Sequence, residues 1–184
     1  MAGRWSDDHL ALVRDLDCDV LLLTEVSQRT TLPGYELHPT KTEMARHRWW
    51  AAVAARTALS GLPDPHIASA LANVNDWTFC SSVLPWRGCG HDPWGPGNHG
   101  AMTVRALEEI TSALPMSALV WGGDWNHALT GRHQPHAIET LLSIDHIAVP
   151  AGLEVADVRR VSAAVGGRRL SDHDAYALRM VNLG

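Results

Sequence analysis

The sequence predicts a layered α+β sandwich, in which many short strands are covered by a few helices. Short apolar runs bounded by polar or turn residues recur along the chain, as is typical of buried strands. Two segments instead show the apolar spacing of an amphipathic helix. With 184 residues, 46% of them hydrophobic and 19% charged, the chain is long enough for one sizeable core. We therefore expect a single domain over residues 1–184.

The first element is a predicted helix over residues 7–17, which Ser6 can cap and whose first turn carries Asp7 and Asp8. The apolar run at 20–23 then predicts a buried strand over residues 19–25. Alanine-rich segments at 49–55 and 67–73 suit either strand or helix. We expect strands in both. Other strands are predicted at 35–38, 77–84, 117–121, 144–149 and 175–181.

The clearest helix covers residues 100–114, because Val104, Leu107 and Ile110 recur at helical spacing. Glycine and proline punctuate the preceding residues 85–99, which predicts a loop. No apolar run approaches the roughly 18 residues that a membrane span needs, and acidic residues stand where a signal peptide has its apolar stretch. We expect a cytoplasmic monomer that does not bind membranes.

The net charge narrows the class of ligand, and the number of cysteines bears on disulfide content. The net charge is −5, which does not favour tight non-specific binding to long DNA; a small or locally gripped phosphate ester fits better. Cys18, Cys80 and Cys89 are three in number, so no complete disulfide framework is implied.

Four short polar motifs each stand where an apolar run stops. They are residues 19–25 (DVLLLTE), 122–126 (GGDWN), 144–147 (IDHI) and 171–173 (SDH). Carboxylates, an amide and an imidazole at strand ends are what a hard divalent cation and a phosphate ester need. The motifs therefore predict a metal-dependent phosphoesterase.

Each motif also has a purely structural interpretation. Glu25 suits a solvated strand end, and Asp124 with Asn126 suits an Asx turn. Asp145 interrupts an apolar pattern, and a carboxylate there is costly unless paired, for which His173 is the obvious partner. An Asx turn does not explain why polar residues recur at so many strand ends. The two glycines at 122 and 123 predict a tight turn that lets the backbone approach a ligand.

Taken together with residues 77–86 (WTFCSSVLPW), these motifs resemble the endonuclease/exonuclease/phosphatase superfamily, which has the DNase I-like fold. The resemblance runs from about residue 5 to the end of the chain. It implies a four-layer α/β/β/α sandwich of two mainly antiparallel sheets. It also implies a Mg²⁺-dependent phosphodiesterase, endonuclease, exonuclease or phosphatase, with Mn²⁺ as an alternative ion. Glu25 resembles the magnesium ligand of the family, and Asp172 a second metal-site or water-orienting carboxylate.

The resemblance implies catalytic roles for four further residues. Asp124 resembles the acid that orients or deprotonates the attacking water. Asn126 resembles the amide that positions this water and holds the phosphate. His173 would contact the scissile phosphate or relay a proton, with Asp145 orienting it. The implied substrate is a phosphate ester, with nucleic acid among the candidates.

The chain departs from the family pattern in two places. The family opens with a strand that carries an active-site Asn, whereas Met1 here closely precedes the first predicted helix. Either the true start lies upstream, or the protein is N-terminally truncated and lacks this strand. Near residues 80–86, many relatives place a His or Tyr that contacts phosphate. Here the nearest polar residues are Ser81 and Ser82. His91 or His99 in the following loop is a candidate substitute, but we favour the alternative that both are solvated loop histidines.

Two other functions stay open from the sequence. A catalytically inactive remnant or binding domain of the same fold is favoured by the missing Asn. A zinc site built from Cys80, Cys89, His91 and His99 has suitable residue types, but its spacing matches no common structural zinc pattern.

Overall fold

A computed structural model of the protein describes residues 4–45, 47–115, 117–127, 137–139, 144–150 and 152–182. The helices in these ranges are α1 (Asp7–Leu16) and α2 (His99–Ala113). The strands are β1 (Val20–Ser27), β2 (Glu36–Pro39), β3 (Glu43–Ala45), β4 (Arg48–Ala55), β5 (Leu59–Gly61), β6 (Ser69–Val74), β7 (Trp77–Val83), β8 (Leu119–Asp124), β9 (Ala137–Glu139), β10 (Asp145–Ala148), β11 (Leu153–Val161), β12 (Ala164–Val165), β13 (Arg168–Arg169) and β14 (Ala175–Asn182).

Most strands belong to two mainly antiparallel sheets. The first sheet has the order β1-β4-β2, with β3 also paired to β4, and the second has the order β5-β6-β7-β8-β10-β9. β7 and β8 run parallel, whereas the other pairs in both sheets are antiparallel. Two smaller antiparallel pairs, β11-β14 and β12-β13, complete the described strands.

Three apolar clusters lie between four layers. The first cluster packs α1 against the first sheet through Val13, Leu21 and Ala54. The second lies between the sheets and contains alternate residues of β4 and β6. The third packs α2, through Ile110, on the outer face of the second sheet. Because successive side chains of a strand point to opposite faces, each sheet can serve two clusters at once. The expected four-layer sandwich is confirmed.

The predicted helices and strands are present, with boundaries shifted by one to three residues at most ends. Both alanine-rich segments are strands. Their alternate residues are buried between the sheets, where small side chains pack closely, and most of the intervening residues are buried on the opposite faces. β11 was missed: its residues are largely exposed and include charged ones, so the sequence shows no apolar alternation there.

The interpretation of the two glycines is wrong. Both lie within β8, which continues to Asp124. Gly123 has φ +139°, and a Cβ atom built there would lie 2.1 Å from the carbonyl oxygen of Ser82 on β7. A Cβ at Gly122 would lie 2.9 Å from the carbonyl oxygen of His146 on β10. The glycines allow three strands to approach closely, and this places Asp124 at the end of β8.

A cavity of about 630 Å³ separates β1 from β14. Residues 20–24 of β1 and 175–180 of β14 line it in unbroken succession. A strand face would contribute alternate residues, so consecutive residues mean that the edges of the strands face the cavity. Among the described residues, β1 pairs with β4 alone and β14 with β11 alone. Whether a strand precedes Met1 stays a prediction, as does the single-domain assignment.

No described helix has the length and apolar character that a membrane crossing requires. Cys18, Cys80 and Cys89 are all free thiols.

Candidate active site

Three polar side chains meet where β8 ends and where β10 and β14 begin. Asp124 is the last residue of β8 and stands opposite Asp145, the first residue of β10, in the strand register. His173 lies two residues before β14. One ligand atom from each residue lies within 4.8 Å of the others. All three residues line the cavity between β1 and β14.

Asp145 orients His173. The Nδ1–H group of His173 donates to both carboxylate oxygens of Asp145, at 2.9 and 3.0 Å. This hydrogen bond raises the pKa of His173 to about 9, despite partial burial, which acts in the opposite direction. The ring is therefore an imidazolium at neutral pH. Its Nε2 atom lies 3.6 Å from the Oδ2 atom of Asp124.

Asp124, in contrast to the positively charged His173, is a carboxylate whose proton affinity is raised. Its pKa is raised to about 6, and burial is the largest cause; the charge of His173 acts against this rise, and the charge of Asp145 adds to it. The backbone N–H of Asn126 donates to the Oδ1 atom of Asp124 at 3.1 Å. A carboxylate that titrates just below neutral pH is suited to accept a proton at neutral pH.

Asn126 lies beside this cluster but already has a partner. Its φ is +50°, and its Nδ2 group donates to the carbonyl oxygen of Leu84 at 3.1 Å. The hydrogen bond fixes the orientation of the amide next to Asp124. The expected role of Asn126 in positioning water stays a prediction.

The two expected metal ligands lie outside the group of three. Glu25 lies within β1 with φ +50°, and its Oε2 atom lies 3.2 Å from the Nη1 atom of Arg48. The side chain of Asp172 is 78% exposed, and its Oδ2 atom lies 3.9 Å from the Nε2 atom of His173. Their roles as ligands stay predictions. The Arg48 contact was not foreseen, because these residues are 23 positions apart and meet only through the β1–β4 register.

The two serines near the expected phosphate contact lie in the interior. Ser81 and Ser82 are fully buried. The hydroxyl of Ser81 donates to the carbonyl oxygen of Leu23, and that of Ser82 accepts from the indole N–H of Trp121. Of the two candidate substitutes, His91 is exposed, and His99 Nε2–H donates to the carbonyl oxygen of Pro85 at 2.9 Å. No contact in the described structure links either histidine to Asp124 or His173.

The proposed zinc quartet does not come together. Within the described ranges, Asp124, Asp145 and His173 form the one group of three or more potential ligands close enough to share an ion. Cys80 is buried among apolar side chains, which raises the pKa of its thiol to about 12 and disfavours the thiolate that zinc needs.

His146 is a core residue although it adjoins Asp145 in the motif. It lies on the opposite face of β10, packs against Trp125 at 5.2 Å between ring centroids, and donates from Nε2 to the carbonyl oxygen of His127. The motif at 144–147 thus delivers one side chain to the site and one to the core.

No protein-family model and no curated protein matches the sequence, but solved structures match the fold. The endonuclease domain of TRAS1, a telomere-specific non-LTR retrotransposon, is 11% identical with a TM-score of 0.60, over 97% of this chain and 93% of that chain. An endonuclease/exonuclease/phosphatase family protein from Leptotrichia buccalis is 14% identical with a TM-score of 0.59, over 95% and 92%. The 3′ phosphatase NExo from Neisseria, bound to a product DNA hairpin, is 18% identical with a TM-score of 0.58, over 94% of each chain. The chain therefore has the DNase I-like fold that its motifs implied.

Proposed function

We propose that this chain is a metal-dependent phosphoric ester hydrolase, a nuclease or phosphodiesterase, that cleaves its substrate by attack of an activated water. The observation that carries the proposal is the cluster of Asp124, Asp145 and His173 beside a cavity. The pKa values of Asp124 and His173 are shifted so that a proton acceptor and a cation coexist at neutral pH. The DNase I-like fold, shared with a nuclease and a phosphatase, supports the same class of reaction.

The carboxylates of this region fit a hard divalent cation. Asp124 and Asp145 provide oxygen atoms within the group of three, and Glu25 and Asp172 are proposed as further ligands. For Glu25, a bound ion would take the place of the Arg48 guanidinium as the partner of the carboxylate. When bound, Mg²⁺ or Mn²⁺ would neutralise charge that develops on phosphoryl oxygens and lower the pKa of a water molecule.

The protein's own residues carry the remaining chemistry. Asp124 is proposed to accept a proton from the attacking water; in the metal-free protein its pKa is raised to about 6, which brings its basicity near neutral pH. Asp145 holds Nδ1–H of His173, so Nε2–H is directed to a phosphate oxygen and stabilises negative charge there. Asn126 is held by Leu84 and keeps a fixed position next to Asp124. Attack in line with the leaving oxygen would invert the configuration at phosphorus.

The alternative is an inactive protein or binding domain with the same fold. Two observations favour it: Glu25 is neutralised by Arg48, and β1 and β14 leave edges unpaired among the described residues. The hydrolysis assay described next distinguishes an active hydrolase from an inactive protein or binding domain.

The test is hydrolysis of bis(4-nitrophenyl) phosphate and of single- and double-stranded DNA, with Mg²⁺ or Mn²⁺ against EDTA. We expect metal-dependent turnover that falls by about 100-fold or more in Asp124→Asn. The matched control is Asp76→Asn, because Asp76 is exposed in the turn between β6 and β7. Absence of turnover in protein with a cooperative unfolding transition would support the inactive alternative. If Asp124→Asn retained the wild-type turnover, the cluster of Asp124, Asp145 and His173 would not be the active site.

A further inference from the structure

A second cavity, of about 460 Å³, is dominated by positive charge. Its lining contains five arginines, which we call the arginine cleft: Arg4, Arg29, Arg48, Arg168 and Arg169. His9 and His47 also line the cavity, and no Asp or Glu is among the described residues that line it. The whole chain carries a net charge of −5. The cleft therefore concentrates cationic groups on a protein that is otherwise acidic, which favours an anionic ligand.

Two of the five arginines have no carboxylate partner among the described residues. Arg48 is paired with Glu25, Arg168 with Asp8, and Arg169 lies 3.6 Å from Asp174. In the described part of the chain, the side chains of Arg4 and Arg29 make no ion pair. A guanidinium without a carboxylate partner can give both of its donor edges to phosphate oxygens.

The arginine cleft adjoins the candidate active site. His9 and Leu170 line both cavities. Arg169 donates from Nε to the carbonyl oxygen of Ser171 and from Nη2 to that of Asp172, so its backbone partners directly precede His173. The cleft therefore borders the cavity that Asp124, Asp145 and His173 line.

The aromatic content of the lining favours a nucleic acid over other phosphate esters. Trp5 lines the cleft and stacks on His9, with ring centroids 5.7 Å apart. Single-stranded nucleic acids are bound by cationic grooves that also present aromatic side chains for base stacking. A free sugar phosphate has one phosphate and no base. It would leave Trp5 without a stacking partner and would contact only some of the arginines in the cleft.

We propose that the arginine cleft binds the phosphates next to the scissile one, so that the substrate is a single polynucleotide strand of several nucleotides. This assignment rests on the proposed function, because the position of the scissile phosphate beside His173 defines the path of the strand. Arg4 and Arg29 would bind flanking phosphates, and Trp5 would stack on a base.

The test measures binding without turnover. A fluorescein-labelled 12-nucleotide single strand is titrated with protein in EDTA at several salt concentrations, followed by fluorescence anisotropy. In the double variant Arg4→Gln/Arg29→Gln, we expect affinity at low salt to fall roughly tenfold. The slope of log K against log salt should shrink by about 1.4, since each phosphate contact to a single strand contributes about 0.7.

The control is Arg14→Gln/Arg87→Gln, which removes the same charge from two exposed arginines that line neither cavity. It should retain the wild-type slope. An unchanged slope in Arg4→Gln/Arg29→Gln, or an equal loss in the control, would overturn the proposal. Tighter binding to phosphatidylserine vesicles than to the oligonucleotide would overturn it in favour of a membrane surface. The binding measurement needs no turnover, so a protein that does not hydrolyse phosphate esters can still bind the oligonucleotide as proposed. Failure of the hydrolysis proposal can therefore be told apart from failure of the binding proposal.

Discussion

At the scale of single residues, the site is governed by one hydrogen-bonded pair. Asp145 approaches a single ring nitrogen of His173 with both oxygens, which fixes the ring and its charge together. Asp124, on the neighbouring strand, is left with the raised pKa that burial imposes. Asp124 and Asp145 face each other across β8 and β10, but only Asp145 has the imidazole as a close hydrogen-bond partner, which is why we propose different roles for them.

The first prediction concerns this pair. In Asp145→Asn, the pKa of His173 should fall by about 1–3 pH units, because the hydrogen bond to Asp145 is the largest cause that raises it. The measurement is an NMR titration of the His173 ring protons in metal-free protein. Asp172→Asn is the control, since the exposed carboxylate of Asp172 should change this pKa much less. An equal change in both variants would contradict the assigned partner.

The second prediction concerns protons and metal at Asp124. The pKa of this carboxyl is raised to about 6, so a cation that binds it at lower pH must displace a proton. We expect Mn²⁺ affinity to rise as pH increases through 6 and to level off near 7.5, below the pKa of His173. The measurement is Mn²⁺ binding followed by electron paramagnetic resonance. The rise should be absent in Asp124→Asn. If the Mn²⁺ affinity of the wild type did not change between pH 5 and 7, the expected displacement of a proton from Asp124 would be disproved.

At the scale of elements, β8 is confined by its neighbours. The third prediction is that Gly123→Ala destabilises the protein by about 2–4 kcal/mol, because the added Cβ would collide with the backbone of Ser82 at a positive φ. Gly34→Ala is the control: its φ is +85°, and nothing lies within 4 Å of the added atom, so only the backbone cost of about 1–2 kcal/mol applies.

Urea denaturation measures both variants. Equal losses would mean that backbone conformation, not the approach of β7, determines the cost at Gly123. A smaller loss at Gly123 than at Gly34 would be incompatible with the close strand spacing.

The sequence predicts those elements whose burial follows a simple period. β1 and α2 are of this kind, since their apolar residues recur as the geometry of a buried strand or a helix face requires. β11 lacks such a period because most of it is exposed, and its pairing with β14 rests on backbone hydrogen bonds instead. The continuation of β8 through Gly122 and Gly123 depends on contacts with β7 and β10, which no local pattern contains.

At the scale of the whole molecule, the candidate site also combines features that a local sequence pattern predicts with features that depend on contacts between distant segments. Asp145 and His173 were expected to pair, because a carboxylate inside an apolar strand needs a partner. The partners of Glu25 and Asn126 were not expected, since Arg48 and Leu84 reach them through the packing of distant segments. The arginine cleft likewise assembles residues from both ends of the chain. Compartment and oligomeric state stay predictions of the sequence alone.

The cavity between β1 and β14 has a consequence for backbone hydrogen exchange. In an antiparallel pair, amide groups point alternately toward the partner strand and away from it. Along β1 and β14, every second amide proton should therefore exchange rapidly with solvent deuterium, while the intervening ones are protected. In β4 and β7, which have partners on both edges, protection should be continuous. Continuous protection along β1 would instead mean that its edge is covered in solution.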